Sequence, residues 1–149
     1  MDSLFNHQHA DSLLNRLDKL NESSPALWGK MKVDQMLAHC QQPLKMALGK
    51  LSLKPNLIGI LFGKLVYKMI SGDKEFKKNL PTPKEFIIRE SQDFEINKKK
   101  LIELISRFPK HGPLGLTTKP HPFFGKLTPH EWDALQRKHL DHHFRQFGA

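Results

Sequence analysis

Apolar residues recur along this chain at the three- and four-residue spacing of helices, while the alternation typical of strands is scarce. Leu13, Leu14, Leu17 and Leu20 place a first helix over about residues 7–22. Ser24-Pro25 reads as a cap with proline at the first helical position, opening a short turn through Trp28. Val33, Met36, Cys40, Leu44 and Ala47 form the stripe of a second helix over Val33–Leu48, stopped near Gly49. An apolar run from Leu57 to Ile70 predicts a further helical segment inside a long connection, which Gly72 and Leu80-Pro81-Thr82-Pro83 break. The next helix covers about Asp93–Phe108, with Ile96, Leu101, Leu104, Ile105 and Phe108 inward and Pro109 and Gly112 as its stop. The last helix is marked at both ends: Thr128 caps it, Pro129 takes the first position, Glu131 completes a capping box and Gly148 ends it. Four long helices with short or irregular joins predict an all-α, antiparallel four-helix bundle with an extra helical segment in the long connection. At 149 residues the chain is read as one domain, 1–149, long enough to bury a core.

Projected at about 100° per residue, the last helix gathers Trp132, His139, Leu140, His143 and Phe147 on one face. Asp141, Arg145 and Lys138 lie away from that face, and His142 falls on its edge, nearer solvent. His139 and His143 are four residues apart, so their imidazoles stand one turn apart on the same side and can grip one divalent cation. Gln136 and Gln146 project close to the pair and are placed to orient it. The alternative is a pair of core histidines satisfied by hydrogen bonds. A third ligand must come from another helix. His39 is the candidate, being the one histidine within the first three main helices besides the N-terminal His7 and His9. It lies on the flank of its helix's apolar stripe, and Pro43 leaves its carbonyl without the usual amide donor.

Composition adds a local enrichment: six of the nine histidines lie from His111 onward. Lys plus Arg number 24 against 15 Asp plus Glu, a formal net charge of +9, which brings nucleic acid and anionic membrane surfaces into view. The excess is spread along the chain, however, and its one tight cluster, Lys98-Lys99-Lys100, reads as a solvated helix face. The lone Cys40 excludes an intramolecular disulfide and falls in an apolar stripe, as a buried, inert thiol. No basic-then-apolar leader opens the chain, and no apolar run is long enough to span a bilayer, so cytoplasm is the expected location. Trp28 and Trp132 read as core packing. His121 precedes a proline and is biased to extended backbone. Phe123 and Phe124 after it either plug the end of the bundle or line the mouth of a metal pocket, with His121 shuttling protons. Phosphate-binding glycine loops, Cys-x-x-Cys pairs and serine elbows are missing.

Several segments together carry a family resemblance. They are Trp28-Gly29-Lys30-Met31, Gln35-Met36-Leu37-Ala38-His39, His121-Pro122-Phe123-Phe124-Gly125 and His139-Leu140-Asp141-His142-His143-Phe144-Arg145-Gln146-Phe147-Gly148. Over nearly its whole length the chain resembles the DinB/YfiT-like metalloenzyme superfamily, and within it a bacterial branch of unknown function. The resemblance implies a four-helix bundle with a three-histidine metal site, one ligand from the second helix and two from an H-x-x-x-H on the last. Carried over, these are His39, His139 and His143. Some members are thiol-dependent transferases or isomerases and others hydrolases. The His-Pro-Phe-Phe-Gly segment departs from the broader pattern.

The leading expectation is a metal-dependent hydrolase or thiol/group transferase acting on a small molecule. Zn²⁺ or Ni²⁺ suits three imidazoles with an open position, and Fe²⁺ is a further choice. No carboxylate is placed as a base, which leaves a metal-bound hydroxide, His142 or His121 as the candidates for proton transfer. The alternative is a non-catalytic stress-response or binding module with a structural or vestigial metal. In that case the basic surface serves nucleic acid, or the apolar Leu57–Ile70 helix lies on a membrane; core packing or a homodimer interface is the favoured use of that helix.

Overall fold

The computed structural model describes residues 2–54, 57–72 and 75–149, with the side chains of residues 57–60, 69 and 70 outside that description. Among the described residues the fold is all-helical. Five α-helices follow one another: α1 His7–Asp18, α2 Val33–Ala47, α3 Leu57–Ser71, α4 Phe94–His111 and α5 Pro129–Gln146. Single 3-10 turns lie at Lys84–Phe86 and Gly112–Gly115. None of these helices is long and apolar enough to cross a membrane.

Local chemistry explains most helix ends. The Asn6 side chain accepts from the Gln8 and His9 amides at the start of α1, and Asp93 accepts from Ile96 N–H at 2.7 Å at the start of α4. The box that opens α5 is closed both ways: Glu131 N–H donates to Thr128 Oγ1 (3.2 Å) and Thr128 N–H to Glu131 Oε2 (2.7 Å). Gly49, Gly112 and Gly148 follow α2, α4 and α5 with positive φ, the left-handed stop that glycine takes without strain.

Three boundaries differ from the sequence reading. The first helix ends at Asp18 rather than near residue 22, although Leu20 is still buried. Lys98 causes that early stop to hold: its Nζ donates to Asp18 O (3.2 Å) and Leu20 O (3.1 Å), satisfying carbonyls the helix leaves open. One lysine of the supposedly solvated run therefore spends its charge on a helix end. Residues 24–28 form no helical turn. Pro109 does not stop the fourth helix, which continues to His111. A proline so near the end removes one internal bond and leaves the final turn intact. Ile96, expected inward, is 52% exposed.

The core comes from one face of each of four helices. Leu13 and Leu17 of α1 join Met36, Leu37, Cys40 and Leu44 of α2. Leu101, Ile105 and Phe108 of α4, with Trp132, Leu140 and Phe144 of α5, close it. Helix α1 packs against α4 and α5, and α2 packs against the same two. The N-terminal segment is pinned by Leu4 N–H, which donates to the buried Asp133 carboxylate at 2.7 Å. Burial holds the Asp133 carboxyl above its usual range, and the Leu4 bond partly offsets this.

Helix α3 joins that core through Tyr67. It lies against α5, where Tyr67 donates its hydroxyl to Glu131 O (3.1 Å). Its Gly63 meets the turn at residues 121–125 so closely that a Cβ there would lie 2.6 Å from the Phe124 carbonyl carbon. Leu61, Phe62 and Leu65 are 72%, 55% and 62% exposed, so these three do not serve a core. Leu57, Ile58, Ile60, Met69 and Ile70, counted with them in the sequence, lie outside the described side chains.

Candidate metal centre

His39 of α2 and His139 and His143 of α5 come together, with their ligand atoms all within 4.8 Å of one another. The three rings form a near-equilateral triangle, with centroids 4.9, 4.7 and 4.6 Å apart. His39 Nε2 and His139 Nε2 face each other at 3.0 Å. A tetrahedral Zn²⁺ with nitrogen ligands at about 2.0–2.1 Å spaces those ligands roughly 3.3 Å apart. One pair already stands near that spacing.

Two neighbouring backbone carbonyls decide which nitrogen of His39 and of His143 faces the centre. The Phe86 carbonyl can only accept, so the His39 Nδ1 at 2.9 Å must carry the proton and its Nε2 is bare. On α5, Gln146 Nε2 donates to the Trp28 carbonyl (2.8 Å), which turns Gln146 Oε1 toward His143 Nδ1 (2.8 Å). His143 therefore donates from Nδ1 and also offers Nε2 as a lone pair. Gly29 makes the second anchor possible. Its φ is +78°, and a Cβ there would lie 2.9 Å from Gln146 Nε2. The Trp28-Gly29 dipeptide thus owes its glycine to the close approach of α5.

Electrostatics agree with that donor set. Burial lowers the pKa of His39, and hydrogen bonding to Phe86 only partly opposes it. Burial, with His143 and His39 beside it, holds His139 well below the ordinary range. Burial takes His143 to about 3. All three rings are neutral at pH 7, the form in which imidazole ligates a metal. Cys40, next to His39, is fully buried and its thiol is pushed upward by burial, so it stays protonated.

His142 is not at a solvent edge, as the helical projection placed it; it is 8% exposed. Its ring lies edge-on to Trp28 at 5.7 Å and against Phe76 at 5.9 Å. Both covering residues come from segments far away in sequence, which a projection of α5 alone cannot register. Burial, with Arg145 nearby, lowers its pKa against a backbone hydrogen bond at Phe76, and its buried Nδ1 has no hydrogen-bond partner among the described residues. His121 starts a tight turn in which its N–H donates to Gly125 O (2.8 Å) and its O accepts from Gly125 N–H (3.0 Å). Its Nδ1 accepts from Phe123 N–H (3.1 Å), and its ring stacks on Phe124 at 4.4 Å. Burial takes His121 to about 3. Only Nε2 of His121 is left for proton transfer.

A cavity of about 320 Å³ opens directly on the three histidines, and His121 and His142 line it as well. Phe123 and Phe124 also form part of its wall, the pocket-lining use rather than a plug. The opposite wall is a strap, residues 75–83, which supplies Phe76, Asn79, Leu80 and Pro81. Arg145 pairs with Glu75, Lys138 Nζ lies 5.0 Å from the Phe76 ring centre, and Lys78 Nζ lies 4.5 Å over Trp28. In the sequence this strap registers only as a proline-rich break. The Phe86 and Trp28 carbonyls leave no residue-type signal at all. Gln136, expected beside the histidines, is buried with neither amide atom hydrogen-bonded among the described residues, so of the two glutamines Gln146 is the one that orients a histidine.

The family described as "Protein of unknown function (DUF1569)" matches residues 3–149, and the chain belongs to that family. No curated protein and no solved structure matches it.

Proposed function

We propose that the chain is a divalent-metal protein of the DinB/YfiT type. In this reading α1, α2, α4 and α5 form its four-helix bundle, and a His39–His139–His143 centre serves hydrolysis or thiol/group transfer on a small molecule in the cytoplasm. The observation that carries this is the anchoring of His39 and His143 through Nδ1–H to oxygen atoms, which turns two neutral Nε2 lone pairs toward one point. Hydrogen bonds of this kind, from the second ring nitrogen to an oxygen, orient metal-binding histidines in general. The packing of α1 and α2 each against both α4 and α5 supports the bundle. Zn²⁺ and Ni²⁺ suit the all-imidazole donor set, and Fe²⁺ is tolerated. A cation held there supplies Lewis acidity, polarising a carbonyl or lowering the pKa of a water or thiol.

The chain's own residues then position and shield. Phe76, Phe123 and Phe124 supply apolar wall to the cavity, Phe76 beside His142 and Phe124 stacked on His121. Among the described residues no Asp or Glu lines that cavity, so His142, which does line it, is the group to take a proton. Elemental analysis of untagged protein tests the reading, beside His39→Ala and the double His139→Ala/His143→Ala. The expected result is about one equivalent of metal in the parent, lost in both variants. A parent that takes up no metal on reconstitution, while both variants stay folded, overturns it.

One observation favours a second reading, a binding module in which metal is structural. It is the exposed stripe Leu61, Phe62 and Leu65 on α3. Light scattering of the parent and of Leu65→Lys tests the use of that stripe. A dimer dissolved by the substitution, with metal retained and salt-sensitive DNA binding absent, assigns α3 to self-association and leaves the metal reading untouched.

A further inference from the structure

Seen from inside, the cavity over the three histidines is unusual for an enzyme site in its lack of charge. Apart from its histidines, Lys30 is the one ionisable residue lining it among the described residues, and no carboxylate does. Lys30 is exposed, so it stands at the mouth rather than in the interior. The walls are mostly carbon: Phe76 and Leu80 from the strap, Phe123 and Phe124 from the turn, Phe86 beside His39, and Leu135 one turn before His139 on α5, with Asn79 and Thr82 of the strap as polar, uncharged exceptions. A volume of about 320 Å³ corresponds to roughly ten displaced waters.

Those three facts define a ligand. A polyanion or a highly hydroxylated molecule entering here loses its hydration and finds few partners, which opposes binding. A flat apolar group finds aromatic faces on several sides. An electron-pair donor at one end reaches the histidine centre, the one concentrated cluster of polar side chains lining the interior among the described residues. We infer that the site takes a small, uncharged or singly anionic molecule with an aromatic or branched aliphatic body and one donor group directed to the metal. This rests on the metal reading above and narrows it to a substrate class. Coenzymes with sugars, phosphates or several carboxylates fall outside it.

The test compares two hydroxamates on metal-reconstituted protein by calorimetry: acetohydroxamate, a metal-binding head alone, and benzohydroxamate, the same head on a phenyl ring. Metal content is measured on the same samples. Burying the ring strengthens binding by roughly tenfold to a hundredfold over the methyl compound. In Leu135→Trp, which fills the cavity, that preference disappears while acetohydroxamate still binds. Phe123→Ala, which removes one aromatic wall, reduces it severalfold. Thermal melts of both variants establish that they are folded. Equal affinity of the two hydroxamates in metal-loaded parent protein, or binding of neither, overturns the inference and leaves the metal reading standing. A parent without metal overturns both.

Discussion

Gln146 is the residue whose removal discriminates best between an oriented ligand set and a packed core. It offers no ligand atom itself; it holds His143 Nδ1 at 2.8 Å and the Trp28 carbonyl at 2.8 Å. Gln146→Met keeps length and helix propensity and deletes both bonds. The His143 N–H is then buried without a partner, which costs about 1–3 kcal/mol. Trp28 is only half-buried, so water reaches its carbonyl and the second loss falls at the low end of the same range. Metal-free protein therefore loses about 2–4 kcal/mol in urea unfolding. Metal affinity, read by competition with a chromophoric chelator, falls by about 10- to 100-fold, because the ring is no longer held with Nε2 inward. Gln146→Glu separates the two effects. A carboxylate still accepts from His143 Nδ1 but has nothing to donate to Trp28, so affinity recovers while stability does not. Should Gln146→Met lose stability as stated yet bind metal within twofold of the parent, the tautomer argument is refuted and Gln146 is a packing residue.

Two further predictions follow from single contacts. His121 titrates near 6.5 when unfolded and near 3 in the fold, so the unfolded state binds more protons between those values. Stability is then full above pH 6.5 and falls with acidification down to about pH 3, by about 1.4 kcal/mol per pH unit for this group. His121→Gln should flatten that slope by one proton in metal-free protein, and an unchanged slope refutes the assignment. Gly63→Ala places a methyl within 2.6 Å of Phe124 backbone and forces α3 off the turn. Amide exchange in α3 and in residues 121–125 should quicken by roughly tenfold or more, the effect of about 1–3 kcal/mol of overpacking. Unaltered protection there shows that the contact is not rigid.

Helix positions were legible in the sequence because their determinants are local. Periodic leucines, the Thr128–Glu131 box and glycines with positive φ act within a few residues of where they stand. The same locality made the facing of His139 and His143 readable, since both belong to one turn-to-turn repeat of α5. It misled where a distant residue intervened. Lys98 satisfies the end of α1, and Trp28 and Phe76 cover a histidine that the helical wheel leaves at the solvent edge. His39 could be nominated by elimination, but its meeting with His139 across 100 residues belongs to tertiary packing alone. The chain by itself determined which residues are helical and which pair of imidazoles shares a face. Only the folded structure decided which histidine completes the triangle, which nitrogens point inward and how apolar the space above them is. Those choices are made by backbone carbonyls and by a strap folding back from far along the chain, and neither leaves a pattern in residue type.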